Sequence, residues 1–147
     1  MRPVRIDSSR VHVIKEFIDR MGDSSKTFRY FDKRPVEVIK QHLVTMIGFD
    51  DGGFPVSYGH LDPAGGDVWL GVCVAEGFRG KGLGTEMIAA LKQVARKMGI
   101  AVVKLAVDRV NTTAIRTYEN MGFAKYSEDE RLLYYSIDLL LGECEKC

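Results

Sequence analysis

The stretch from Val68 to about Met98 constrains this chain more than any other. An apolar run, Val68 to Val74, stops abruptly. A basic glycine turn follows, Arg79-Gly80-Lys81-Gly82-Leu83-Gly84, and a helical pattern begins at once. Leu83, Met87, Ile88, Leu91, Val94, Ala95 and Met98 share one helical face, while Lys92, Gln93, Arg96 and Lys97 take the other. Strand, glycine turn and helix together place backbone N–H groups at a helix start, where they hold an anionic group, usually a phosphate. Glycine there lets the backbone take positive φ and approach a ligand closely. Arg79 and Lys81 add positive charge that suits a pyrophosphate.

A second apolar run, Ile100 to Val107, follows Gly99. Strand, helix, strand is a βαβ unit, so the two runs are predicted to be parallel and joined right-handed. The continuous apolar character of Val68 to Val74 predicts a strand covered on both faces. Upstream, Val4-Arg5-Ile6 is a short strand candidate, and apolar spacings from about Ser9 to Met21 predict an amphipathic helix. Pro35 can open a second helix carrying Val36, Ile39 and Leu43. Leu43–Phe49, Phe54–Leu61 and Val68–Val74 then read as an antiparallel meander with turns at 50–53 and 62–67. Asn111-Thr112-Thr113 offers N-cap residues to a helix bearing Ala114, Ile115, Tyr118 and Met121. Phe123–Ser127 and Arg131–Leu139 read as a closing strand pair, and residues 140–147 as a frayed tail.

The 147 residues suit one domain, 1–147, with its core in about 1–139. A net charge of +1 argues against bulk electrostatic binding of nucleic acid or an anionic membrane. No apolar run approaches the roughly 20 residues of a membrane span, and no apolar stretch follows Met1–Arg5 as a secretory leader would. Three cysteines, an odd and low number, fit a reduced cytoplasmic thiol state.

Several phosphate-binding patterns compete for the glycine turn. The P-loop pattern fails at Ala75 and at Gly82. The dinucleotide pattern begins at Gly80 and Gly82 but meets Thr85 at its third glycine. The pattern [QR]-x-x-G-x-[GA] fits Arg79 to Gly84 without a gap. One strand further on, Asn111 to Phe123 matches N-x-x-A-x-x-x-Y-x-x-x-G-F through Asn111, Ala114, Tyr118, Gly122 and Phe123. In both motifs, specifically over about Val68 to Phe123, the chain resembles the GCN5-related N-acetyltransferase (GNAT) family.

The resemblance implies an α/β (α+β) fold. It has a mixed, mostly antiparallel central sheet of about six to seven strands, flanked by about four helices, with a splayed parallel pair at the cofactor site. It implies acetyl-CoA as cosubstrate. The turn residues Arg79, Gly80, Lys81, Gly82, Leu83, Gly84 and Thr85 are expected to hold its pyrophosphate. Backbone groups of Val72, Cys73 and Val74 would pair with the pantetheine amides, with one N–H, that of Val74, serving as oxyanion donor. Asn111 and Ala114 are expected beside the cofactor. Tyr118 is the candidate general acid for the leaving thiolate; its other reading is a packed core aromatic.

The general base stays open. A glutamate serves in related protein N-terminal acetyltransferases, and Ala106 stands at the matching position. Glu76, His60 and Asp108 are the base candidates, beside a water relay with no single base. Cys73 lies mid-strand, where a thiol behaves as a small hydrophobe, so covalent catalysis is not expected. Cys144-x-x-Cys147 has half a zinc-site spacing and no second pair, so no metal is expected.

The acceptor is expected to be a small-molecule primary amine attacked in a ternary complex. Phe28, Arg29, Tyr30, Phe31, Lys33 and Arg34 fall where the family walls its acceptor site. They either stack on and pair with an anionic amine, such as a nucleotide-linked amino sugar, or cover a core edge. A protein lysine or N-terminal amine acetyltransferase, and a non-catalytic acyl-CoA-binding domain, are the alternatives. Strand edges near the C-terminal end leave a homodimer open.

Overall fold

The computed structural model describes residues 2–140; the 141–147 part of the expected tail, with Cys144 and Cys147, lies outside the described residues. The elements follow the meander and βαβ unit. β1 (Val4–Arg5) and α1 (Val11–Arg20) precede β2 (Val44–Phe49), β3 (Pro55–Ala64) and β4 (Asp67–Val74). Then come α2 (Leu83–Lys97), β5 (Val102–Asp108), α3 (Thr112–Asn120), β6 (Ala124–Glu128) and β7 (Leu132–Asp138). The seven strands form one mixed sheet in the order β1-β2-β3-β4-β5-β7-β6. Every neighbouring pair is antiparallel except β4–β5.

Apolar residues on the two sheet faces make two cores. α1 buries Ile14 and Phe17 against Ile47, Tyr58 and Cys73 on one face. α2 buries Met87, Ile88 and Leu91 against Leu61, Leu70 and Leu105 on the other, joined there by Tyr118 of α3. Alternation along each strand fixes the assignment: Tyr58, His60 and Asp62 of β3 share the α1 face, and Gly59 and Leu61 the α2 face.

Four local readings change. The segment after Pro35 is a 3-10 helix, Val36–Gln41. It is short and rich in β-branched Val36, Val38 and Ile39, which lowers its α-helical preference. Leu43 is not on its face; the Leu43 N–H already bonds Leu61 O at 2.8 Å, extending the ladder. A further 3-10 turn, Gly22–Lys26, continues from α1. β3 runs on to Ala64, so the turn narrows to Gly65-Gly66, both at positive φ, and His60 sits within the strand. β4 is only partly covered: Leu70 and Cys73 are buried, while Val72 and Val74 are half-buried because a cleft opens beside them.

Candidate functional site

β4 and β5 pair at one register point only, Trp69 opposite Lys104. Beyond it the strands part. The Ala75 N–H bonds Val56 O at 2.9 Å, which sets the ladder alternation. Cys73, opposite Tyr58, therefore turns its N–H and C=O toward β3, whereas Val72 and Val74 turn theirs into the gap. The backbone groups turned to the gap are therefore those of Val72 and Val74. Cys73 contributes only its side chain, a correction that comes from strand register.

A cavity of about 920 Å³ fills the gap. Its walls are Val72, Cys73 and Val74 of β4, Arg79, Gly80, Gly82, Leu83, Gly84 and Thr85 of the turn, and Asn111, Ala114, Thr117 and Tyr118 around α3. Gly82, at φ 82° and ψ 6°, is the left-handed N-cap of α2. Gly80 is also at positive φ, and a Cβ on either would meet open space. The turn thus shows bare backbone N–H groups to the cavity at a helix start. Lys81 does not line the cavity; its ammonium lies 5.3 Å from the Phe78 ring centre. Asn111 caps α3 by accepting from the Ala114 N–H at 3.3 Å.

Tyr118 is 7% exposed, lines the cavity and packs edge-on against Phe123 at 5.8 Å. Burial raises its pKa, with a smaller contribution from the Cys73 thiol. The phenol therefore stays protonated well past neutrality. Burial also pushes the Cys73 thiol up to about 12, against the Arg79 charge and the nearby Ser24 hydroxyl. A thiol of that kind is not a nucleophile at neutral pH.

The base candidates do not meet at the cavity. Glu76 Oε1 accepts from the Asp23 N–H at 2.6 Å and caps the 3-10 turn. Asp108, 4% exposed, holds Arg29 at 3.0 Å and accepts from the Val110 N–H at 3.2 Å. The Arg29 contact is an ion pair off the hydrogen-bonding line, since Asp108 Oδ2 has no aligned donor. His60 is 3% exposed with its ring over Gly71, and Nδ1 lies 2.6 Å from the Tyr58 hydroxyl. Burial holds its pKa well below the usual value. Ala106, in β5, is exposed and does not line the cavity.

The acceptor-wall residues divide. Phe28 and Arg29 line the cavity. Tyr30 and Phe31 turn inward, against His60 at 4.3 Å and Tyr58 at 5.4 Å. Arg34 donates to Tyr30 O at 2.8 Å and lies over the Tyr30 ring at 4.3 Å. Arg29 and Arg34 therefore already have partners within the chain. His42, His60 and Asp62 bring donor atoms within 4.8 Å of one another. Hydrogen bonds already link the set. The Tyr30 hydroxyl donates to Asp62 at 2.8 Å and lies 2.7 Å from His42 Nε2, and Thr45 Oγ1 lies 2.9 Å from His42 Nδ1.

Sequence reasoning missed Ser24, Thr27, Thr112, Thr113 and Thr117, all on the cavity wall. The hydroxyl cluster at 112, 113 and 117 was a usable signal, since those positions flank Tyr118 on the helix. Ser24 gave none, since a serine a few residues past a helix marks no site by itself.

A splayed parallel pair, a positive-φ turn at a helix start and a tyrosine on the following helix define an acyl-CoA-binding transferase architecture. The acetyltransferase (GNAT) family model matches residues 12–123, and the chain belongs to that family, whose cosubstrate is acetyl-CoA. A mycothiol acetyltransferase of Renibacterium salmoninarum is 35% identical over 88 residues, 57% of this chain and 26% of that protein. This chain thus spans about a quarter of that relative's length. Among solved structures, the Salmonella typhimurium protein yncA with acetyl-CoA has a TM-score of 0.75 at 16% identity, over 95% of this chain and 94% of that one. The GNAT domain of S. lividans PAT has a TM-score of 0.80 at 18% identity, over 92% and 89%. Both share the fold. Among the described residues no helix is long and apolar enough to cross a membrane.

Proposed function

We propose that this chain transfers the acetyl group of acetyl-CoA to a primary amine of a small molecule by direct attack in a ternary complex. One observation carries the reading. The gap between β4 and β5 exposes the backbone groups of Val72 and Val74 to a cavity running from the glycine turn to Tyr118. The residues fit the cosubstrate: open space at Gly80 and Gly82 admits a diphosphate, and the gap admits a narrow amide-bearing arm. The relative named for mycothiol acetylation supports a small-molecule acceptor over a protein amine.

In the reaction the amine nitrogen bonds to the thioester carbonyl carbon, the carbon–sulfur bond breaks, and its electron pair goes to sulfur. The Val74 N–H stabilises the oxyanion. Tyr118 gives its proton to the departing sulfur and regains one from solvent. The amine proton passes to water, because Glu76 and Asp108 are committed to structural bonds and His60 does not line the cavity.

Thermal melting with acetyl-CoA, coenzyme A, ATP and NAD tests the reading. A ligand at about 100 times its Kd adds roughly 2.7 kcal/mol, a shift on the order of 5 °C for a domain this size. Shifts with acetyl-CoA and coenzyme A alone are expected, followed by turnover in an acceptor screen that includes nucleotide-linked amino sugars. A shift with ATP or NAD instead overturns it. Coenzyme A binding with no acetyl transfer to any amine favours the non-catalytic acyl-CoA-binding alternative.

A further inference from the structure

Ser24 lies outside both family motifs, yet its hydroxyl joins three parts of the site. It is 4% exposed and borders the cavity. Its Oγ donates to Val74 O at 2.6 Å and accepts from Arg79 Nε at 3.1 Å and Arg79 Nη2 at 2.6 Å. A hydroxyl has one proton to give and two lone pairs, so this oxygen is fully used. The partners are the carbonyl at the mouth of the β4–β5 gap and the first residue of the glycine turn.

The 3-10 turn that carries Ser24 is anchored without it. Glu76 Oε1 accepts from the Asp23 N–H at 2.6 Å, and the Glu76 N–H donates to Met21 O at 3.0 Å. The hydroxyl is therefore spare as a fold contact and specific as a link to the site. A guanidinium carries five N–H groups in a rigid fork. With Nε and one Nη2 proton held by Ser24, the Arg79 guanidinium on the cavity wall is held in one orientation. A free arginine side chain would give up rotamer freedom to reach the same place.

We propose that Ser24 is a positioning residue that aims the Arg79 charge at the diphosphate of coenzyme A while fixing the Val74 carbonyl at the gap. The proposal rests on the coenzyme A reading of the cavity. Arg79 touches the ligand; Ser24 acts through it.

The test is equilibrium binding of coenzyme A, by calorimetry, across a series of NaCl concentrations. The series uses the wild-type chain, Ser24→Ala, Arg79→Gln and the double variant. Ser24→Ala is expected to weaken binding about tenfold, the scale of one charge-assisted hydrogen bond, and to flatten the salt dependence as Arg79→Gln does. The double variant should be no weaker than Arg79→Gln alone, since the two residues act as one unit. Ser24→Thr, which restores the hydroxyl, should recover most of the affinity. If Ser24→Ala does not fold, Arg79→Lys carries the test, because it keeps the charge and lacks the fork; it should bind weaker with an unchanged salt slope. Unchanged affinity in whichever of these two variants is used overturns the inference. So do additive losses, or a Ser24→Ala loss with full salt dependence, which would place its role at Val74 alone. A wild-type chain that binds no coenzyme A removes the cavity assignment itself, and that outcome is distinct from the others.

Discussion

Tyr118 and Cys73 face one cavity and are driven the same way by burial, yet their chemistry diverges. A phenol held protonated is a proton donor; a thiol held protonated is inert. Tyr118 lines the cavity while its ring packs on Phe123, so the catalytic and core readings of this residue are compatible. Tyr118→Phe is expected to lower kcat about a hundredfold, the low end of the range of general acid catalysis, with coenzyme A affinity within twofold of wild type. Because burial raises the Tyr118 pKa, no rate loss from its ionisation should occur below about pH 10. A Tyr118→Phe variant with unchanged turnover across that range would remove the residue from the mechanism. Tyr118 was readable as a candidate from sequence, because a residue's place in a local pattern is a property of the chain itself.

At the scale of elements, the junction of β4 and α2 does the most. The turn is legible because glycine is required where φ is positive, as at Gly80 and Gly82. Gly84 differs. It lies inside α2, and a Cβ there would meet Val74 Cγ2 at an ordinary 3.8 Å. Gly82→Ala should therefore cost about 1 kcal/mol of stability from left-handed strain and weaken coenzyme A binding strongly. Gly84→Ala should leave the melting temperature nearly unchanged. Equal melting temperatures for Gly82→Ala and wild type would contradict the left-handed assignment. The helix expected after Pro35 was misread for a local reason: a six-residue segment can close 3-10 bonds that periodicity does not distinguish from α-helical ones.

At the scale of the molecule, the α1 face of the sheet holds a buried polar cluster around His42 and His60. Burial lowers the His42 pKa to about 4 and holds His60 well below its usual value. In the unfolded chain both titrate near 6.5. As pH falls below that, the unfolded state binds protons that the folded state refuses, so stability is lost between about pH 6.5 and 4. The melting temperature should drop over that window, and His42→Gln should flatten the drop. A wild-type melting temperature constant from pH 7 to 4 would rule out neutral burial of both rings. Sequence by itself determined the strand–turn–helix unit, the βαβ connection, the Asn111 cap and the two motifs, because each rests on contacts or dihedrals within a few residues. Tertiary structure alone decided which backbone groups face the gap, that Arg29 pairs with Asp108, that Glu76 is a cap, and that Ser24 meets Arg79 across 55 residues. Those depend on strand register and on loop segments brought together by the sheet, which no local spacing records.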